Sequence, residues 1–140
     1  MAQIIIASHG GLAAGIVDSI RMIAGGVADG IESYGLLPGE SADDFRQELE
    51  ERIKASDEQF IILCDILGGS VHTTLLRLTH LPNVLIFSGV TLALALEVAL
   101  TAQDIVSAER AEELIAGARE GMTVRIGGFS LVAEDEDEDF

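Results

Sequence analysis

The stretch Gln3-Ile4-Ile5-Ile6-Ala7-Ser8-His9-Gly10-Gly11 constrains the fold more than any other part of this chain. It is a short, unbroken, β-branched run that stops at a histidine, with two glycines directly behind it. Such a run suits a strand buried on both faces. Gly10 and Gly11 allow a sharp turn whose amide N–H groups can face a bound anion. His9 is thereby predicted at the carboxyl end of a central strand, the edge where open α/β sheets take their ligands.

The same pattern returns at residues 59–69. Phe60-Ile61-Ile62-Leu63-Cys64 is apolar, Asp65 follows, and Gly68-Gly69 comes soon after. Between the two runs, Leu12, Ile16, Ile20 and Ile23 recur at helical spacing, and Gly25-Gly26 ends that helix. Residues 31–36 read as a weaker second strand, and Leu37-Pro38-Gly39-Glu40 as a loop. Ser41 is the expected N-cap of the next helix, with Asp43 and Asp44 in its first turn and Phe45, Leu49 and Ile53 as its apolar stripe.

A third helix is expected from Ser70 to near Pro82, then a strand at 84–87 and the pair Ser88-Gly89. Leu92, Leu94, Leu96, Val98 and Leu100 alternate with period two, which taken literally means strand. The intervening residues are mostly alanine, however, and Leu, Ala and Glu favour helix. Helix is therefore predicted there. Ser107 caps a last helix that Gly117 or Gly121 ends, and 122–126, extending through Phe129 to Val132, is predicted as a final strand.

Strands alternating with helices imply right-handed crossovers and a mainly parallel, doubly wound α/β sheet; the order taken for it is 2-1-3-4. At 140 residues and 49% hydrophobic, the chain suits one domain with a full core. Six of its 24 acids lie within residues 134–140, so the expected division is a domain over 1–132 and an acidic, disordered tail over 133–140. The remaining 18 acids still outnumber the 8 bases. Nucleic acid and anionic membrane surfaces are poor partners for such a body, and a protein with a basic docking face is a better one.

Cys64 is the only cysteine, which excludes an intrachain disulfide and fits a reducing compartment. The longest apolar candidate span, 90–102, is too short for a bilayer and contains Glu97. With no basic n-region at the start either, the expectation is a soluble cytoplasmic protein without membrane insertion.

In the order 2-1-3-4, His9 and Asp65 face each other across the switch point of the sheet. A carboxylate beside an imidazole sets its tautomer and leaves the far ring nitrogen nucleophilic. Ser70 can offer a hydroxyl to a phosphate, and Gly10, Gly11 and Gly69 can offer backbone amides. This is a nucleophile, an orienter and an anion pocket without lysine or arginine. It suits a phosphoryl group passed between proteins better than a nucleotide site, which needs a metal and a basic clamp. The three histidines lack metal-ligand spacing, and no metal or other cofactor is called for. His72, two residues into the third helix, is in reach of lining the pocket but reads first as a surface or packing residue, and His80 as a helix-end residue without chemistry.

Ser8-His9-Gly10, Leu37-Pro38-Gly39-Glu40, Asp65-Ile66-Leu67-Gly68-Gly69-Ser70, Ser88-Gly89-Val90-Thr91-Leu92 and Gly117-Ala118-Arg119-Glu120-Gly121 come in an order and spacing that resembles a known family. Over roughly residues 1–127 the chain is similar to the enzyme IIA component of the mannose family of the bacterial sugar phosphotransferase system. The resemblance implies a phosphocarrier. Phosphorylated HPr would supply a phosphoryl group to His9, which would pass it to a histidine of enzyme IIB and so towards the membrane sugar permease. Asp65 would orient the ring, and Ser70 would help to hold the phosphoryl oxygens. It also implies a homodimer in which a last antiparallel strand, here 122–126, is exchanged between subunits.

Two departures stand out: Val71-His72 where the family commonly has proline after Gly-Gly-Ser, and Thr91-Leu92-Ala93-Leu94 where it commonly has Asn-x-Pro-Met. Neither removes a chemical group from the site, and neither assigns a sugar. The spacing Asp-x-x-Gly-Gly-Ser favours the sugar branch over the kinase-linked branch that phosphorylates dihydroxyacetone. Two other classes stand beside the carrier. A histidine phosphatase resembles an Arg-His-Gly start, where this chain has Ser8, and needs further arginines. A non-catalytic α/β regulatory module would have a deep pocket and a dispensable His9.

Overall fold

The structure, a computed structural model, describes residues 2–128. Strands and helices alternate as β1 (Gln3–His9), α1 (Leu12–Ala24), β2 (Ile31–Leu36), α2 (Asp43–Lys54), β3 (Phe60–Cys64), α3 (Ser70–Leu75), β4 (Val84–Phe87), α4 (Leu92–Thr101) and α5 (Ala108–Glu120). All neighbouring strands are parallel, in the predicted order β2-β1-β3-β4.

The β-branched runs are central because both faces of β1 and β3 are covered. Ile4, Ile6, Ile61 and Leu63 pack against Ile16 and Ile20 of α1, Leu94 and Val98 of α4 and Leu114 of α5. Ile5, Ala7, Ile62 and Cys64 point the other way, onto Leu49 and Ile53 of α2 and Val71 and Leu75 of α3. Each fully buried isoleucine or leucine contributes about 1.5–3 kcal/mol of transfer free energy. Burial pushes the Cys64 thiol up to about 12, with the Asp65 charge adding to the shift, so this sulfur is a small hydrophobe and not a nucleophile.

Several expectations change at element ends. Leu12 and Ile23 are exposed, and the buried face of α1 is Ala13, Ile16 and Ile20. The four-residue steps outlined a stripe wider than the contact with the sheet. Gly25, at φ +59, does end α1, but a 3-10 segment then runs over Gly25–Gly30. Ser41 does not cap α2: Ala42 holds the cap position, and the Ser41 hydroxyl accepts the Asp43 N–H at 3.2 Å. The third helix is α-helical only to Leu75 and tightens to 3-10 over Leu76–His80.

The alternating segment is helical, as predicted. Its buried face is Leu94, Ala95, Val98 and Ala99, while Leu100 is exposed, so the leucine alternation does not mark burial. Thr91 caps this helix by accepting the Leu94 N–H, and Ser107 caps α5 through the Arg110 N–H. Gly117 lies within α5, and Gly121 follows its last turn.

The predicted last strand is not among the strands of this four-stranded sheet. Residues 122–126 form no strand within this chain, and Met122, Val124 and Ile126 are exposed. A strand exists only through a ladder with a neighbour, and none of the described residues of this chain supplies one. Its extension over 129–132 and the acidic tail at 133–140 lie outside the described residues.

Gly35, next to last in β2, is required by a close approach. A Cβ there would stand 2.3 Å from the Gly10 carbonyl oxygen, in the turn directly behind His9. Gly35→Ala must push that turn away from β2. The expected cost is about 1–3 kcal/mol of stability, read as a lower urea midpoint, together with weakened chemistry at His9. Unchanged stability and unchanged His9 chemistry would show that the turn yields freely.

Candidate functional site

Strand register builds the site. Ala7 pairs with Cys64, so His9 and Asp65 leave the same edge of adjacent strands, at the point where the chain crosses from one side of β1 to the other. One carboxylate oxygen of Asp65 serves His9 twice: Oδ2 lies 2.8 Å from the His9 backbone nitrogen and 2.8 Å from its Nδ1. Oδ1 accepts the Ile66 N–H at 2.9 Å. Burial alone would push the Asp65 carboxyl up, but the His9 backbone N–H, the His9 ring and the Ile66 N–H outweigh it and hold Asp65 below the usual carboxylate range.

An ionised Asp65 can only accept, so Nδ1 of His9 carries the proton and Nε2 keeps its lone pair. That nitrogen faces the Ser70 hydroxyl at 3.1 Å, and Ser70 donates to it. The His9 side chain is 46% exposed while that of Asp65 is 6% exposed. The imidazole is held from behind and open in front. Two clefts of about 530 Å³ among the described residues lie elsewhere, beside β4 and α5 and beside Tyr34 and Phe45, and neither is lined by His9, Asp65 or Ser70.

The glycines act differently from the sequence expectation. The Gly10 amide donates to the Leu36 carbonyl at 2.8 Å and the Gly69 amide to the Ile66 carbonyl at 3.0 Å. Neither is the open anion donor assigned to it above. Gly10 instead makes the turn, at φ +56. Gly69 lets the loop close on the ring, because a Cβ there would lie 3.5 Å from His9 Cε1 and 3.3 Å from the Ile66 oxygen. Gly11 immediately precedes α1, where an amide lies outside the helical ladder.

Sequence reasoning missed three supports. Ser8 is fully buried, and its hydroxyl accepts the Ala13 N–H at 2.8 Å, tying the start of α1 to the end of β1. Gly35 admits the Gly10 turn. His72 is buried, and its Nδ1 accepts the Gly68 N–H at 3.0 Å. Only a polar residue inside an apolar run and a glycine inside a strand hinted at the first two.

Around His9, the connections leaving β1, β2 and β3 carry exposed Leu12, Leu37, Ile66 and Leu67. The ion pairs of Arg46, Arg52, Lys54 and Arg77 are made with acids of α2 and β2, and not with Asp65. Among the described residues, no cluster of three or more His, Cys, Asp or Glu side chains is arranged to hold a metal. Likewise, no helix there is long and apolar enough to cross a membrane.

A family model described as EIIA-man, PTS system fructose IIA component, matches residues 3–116. The PTS system sorbose-specific EIIA component of Klebsiella pneumoniae is 35% identical over 100 residues, which cover 69% of this chain and 72% of that protein. The crystal structure of a PTS IIA protein associated with the fucose utilization operon of Streptococcus pneumoniae superposes with a TM-score of 0.70 at 27% identity, covering 88% of this chain and 92% of its own. The mannose/sorbose-specific IIA subunit from Enterococcus faecalis superposes at 0.76 with 23% identity, over 92% of this chain and 98% of its own, and bears on the fold alone.

Proposed function

The chain belongs to the EIIA-man family of phosphotransferase-system IIA components, and from that premise we propose that His9 carries a phosphoryl group from phosphorylated HPr to a histidine of an enzyme IIB. A part in sugar phosphotransfer comes with the family; the donor, the acceptor and the residue roles are our reading. The observation that carries it is the His9 ring, fixed through Nδ1 by Asp65 and presenting Nε2 beside the Ser70 hydroxyl.

The Nε2 lone pair attacks phosphorus, the new N–P bond forms as the donor histidine's N–P bond breaks, and the donor keeps its nitrogen electron pair. Nδ1 retains its proton, so the phosphorylated ring carries positive charge that the Asp65 carboxylate offsets. Ser70 turns its hydroxyl from Nε2 to a phosphoryl oxygen. Transfer to enzyme IIB is the same step reversed, with another imidazole as acceptor. The half-exposed ring and the apolar collar of Leu12, Leu37, Ile66 and Leu67 support a protein partner over a small substrate, and an acidic body supports one with a basic face. Such a carrier works in the cytoplasm beside its permease.

The test is incubation with phosphoenolpyruvate, enzyme I and HPr, followed by intact mass. One added, acid-labile phosphoryl group that requires HPr supports the carrier. An unlabelled folded protein sinks it in favour of a regulatory module, and steady release of free phosphate without an adduct points to a hydrolase.

The same reading includes an exchanged dimer. Beyond β4 the sheet edge opens on a cleft of about 530 Å³ lined by Leu85, Phe87, Ile115 and Met122 among others. A strand from a second subunit, with Met122, Val124 and Ile126 turned inward, would pair that edge and cover it. Sedimentation equilibrium should find the full chain dimeric and a chain ending at Gly121 monomeric. A monomeric full chain at tens of micromolar would exclude the exchange.

A further inference from the structure

Among the described residues, and apart from the Asp65 carboxylate of the site itself, the buried polar or charged residues are Ser8, Arg46 and His72. Arg46 is spent in ion pairs with Asp43 and Glu50 on its own helix. The other two brace the loops that carry the site. Ser8 has a simple part, holding the start of α1. His72 has a more specific one.

The Gly68 peptide is gripped at both ends from α3. Its N–H donates to His72 Nδ1 at 3.0 Å, and its carbonyl accepts the Thr73 hydroxyl at 3.2 Å. Gly68 has φ +78, so the loop turns at this residue. The next residue, Gly69, lies beside the His9 ring, where an added Cβ would come within 3.5 Å of Cε1, and the one after it is Ser70, whose hydroxyl meets Nε2. The path from His72 to the reacting nitrogen is therefore two residues of backbone with no slack side chain in it. A neutral imidazole that accepts at Nδ1 carries its proton on Nε2, so His72 is a hydrogen-bond acceptor here and not a second nucleophile.

We propose that His72 is a positioning residue of this site: by accepting the Gly68 N–H it holds the loop at 65–69 so that Gly69 lies beside the His9 ring and Ser70 faces its reacting nitrogen. The proposal rests on the carrier reading for its kinetic consequence, but the clamp itself does not. Removing the acceptor cuts the tie between the loop and α3: Gly68 is exposed, so its N–H turns to water instead and the loop is no longer held at this residue. A shift of about an ångström at a reacting centre costs roughly ten- to a hundredfold in rate.

The experiment compares His72→Leu, which fills the space but cannot accept, with His72→Asn, whose Oδ1 is as many bonds from Cβ as the imidazole Nδ1. Amide exchange at Gly68 and the ring-nitrogen NMR shifts of His9 are read first, in the unphosphorylated full chain. His72→Leu should lose Gly68 protection and move the His9 signals, and His72→Asn should keep both near wild type. In transfer from phosphorylated HPr, His72→Leu should lose roughly ten- to a hundredfold in kcat with KM little changed, and His72→Asn should stay within about threefold. Loss of stability in both variants without these splits means that His72 only packs, and overturns the proposal. So does a His72→Asn as impaired as His72→Leu. If the wild type accepts no phosphoryl group, the carrier reading fails, and the NMR comparison still decides the clamp.

Discussion

His9→Ala is expected to take up no acid-labile phosphate from phosphorylated HPr, a fall in transfer on the order of 10⁴-fold or more, because the group that forms the new bond is gone. No other imidazole stands in for it: His72 is buried with Nδ1 engaged, and His80 ends the 3-10 segment that follows α3, its Nδ1 on the Arg77 carbonyl. The protein should stay folded, since the His9 side chain is half exposed, but loss of its hydrogen bond to the buried Asp65 carboxylate should cost about 1–3 kcal/mol of stability. The check is intact mass with and without acid treatment, beside a urea titration. Label that survives in folded His9→Ala would move the acceptor elsewhere. An acid-stable phosphate would single out the Ser70 hydroxyl and overturn the assignment of the nucleophile.

The second large effect is Asp65→Asn, for which transfer should fall by roughly 10²–10⁴-fold through kcat. The carboxylate now serves three donors, the His9 N–H, the His9 ring and the Ile66 N–H. An amide of the same shape has one oxygen for them and places its own N–H₂ against the rest. The imidazole answers by turning acceptor at Nδ1 and carrying its proton on Nε2, which blocks the lone pair that attacks. Ring-nitrogen NMR of His9 should show that change of tautomer, and an unchanged tautomer with full activity would remove Asp65 from the mechanism.

The same substitution has a pH signature whose sign follows from the direction of the Asp65 shift. Its carboxyl is held below its unfolded value, so the folded state binds the proton less readily than the unfolded one. The stability that Asp65 contributes is fully present above the unfolded value of about 3.9 and is lost as pH falls through the lower folded value. The urea midpoint of wild type should exceed that of Asp65→Asn by a constant margin between pH 5 and 7, and the margin should shrink below about pH 4. A margin that is independent of pH down to 2 would mean that ionisation of Asp65 does not stabilise the fold.

The parallel α/β sheet, the strand-end placement of His9 and Asp65, and the helical state of 92–101 were legible from residues alone. Each rests on short-range chemistry: β-branched runs with glycine pairs behind them, and the helix preference of leucine and alanine over their accidental alternation. A parallel sheet with right-handed crossovers leaves few ways to join such runs, and the order 2-1-3-4 is the one that brings the ends of β1 and β3 to one crevice. The helix ends were read less well. Whether Leu12 or Ile23 is buried, and where α3 tightens to 3-10, depends on how far each helix reaches across the sheet.

Only the tertiary structure decided which groups near His9 are free and which are spent. The amides of Gly10 and Gly69 looked available in sequence, yet both donate to carbonyls of the turns that they form. His72 looked like surface or packing, yet its ring nitrogen completes the loop beside the nucleophile. Gly35 gave no local reason to be glycine, and its reason is the Gly10 carbonyl, which reaches it from a different strand end. The residues at 122–126 have the composition of a strand, but a strand is a relation to a neighbour, and none of the described residues of this chain supplies one. Periodicity and turn chemistry act within a few residues and can be read in order along the chain. Hydrogen-bond partners and close approaches join residues far apart in sequence, and exist only once the strands are side by side.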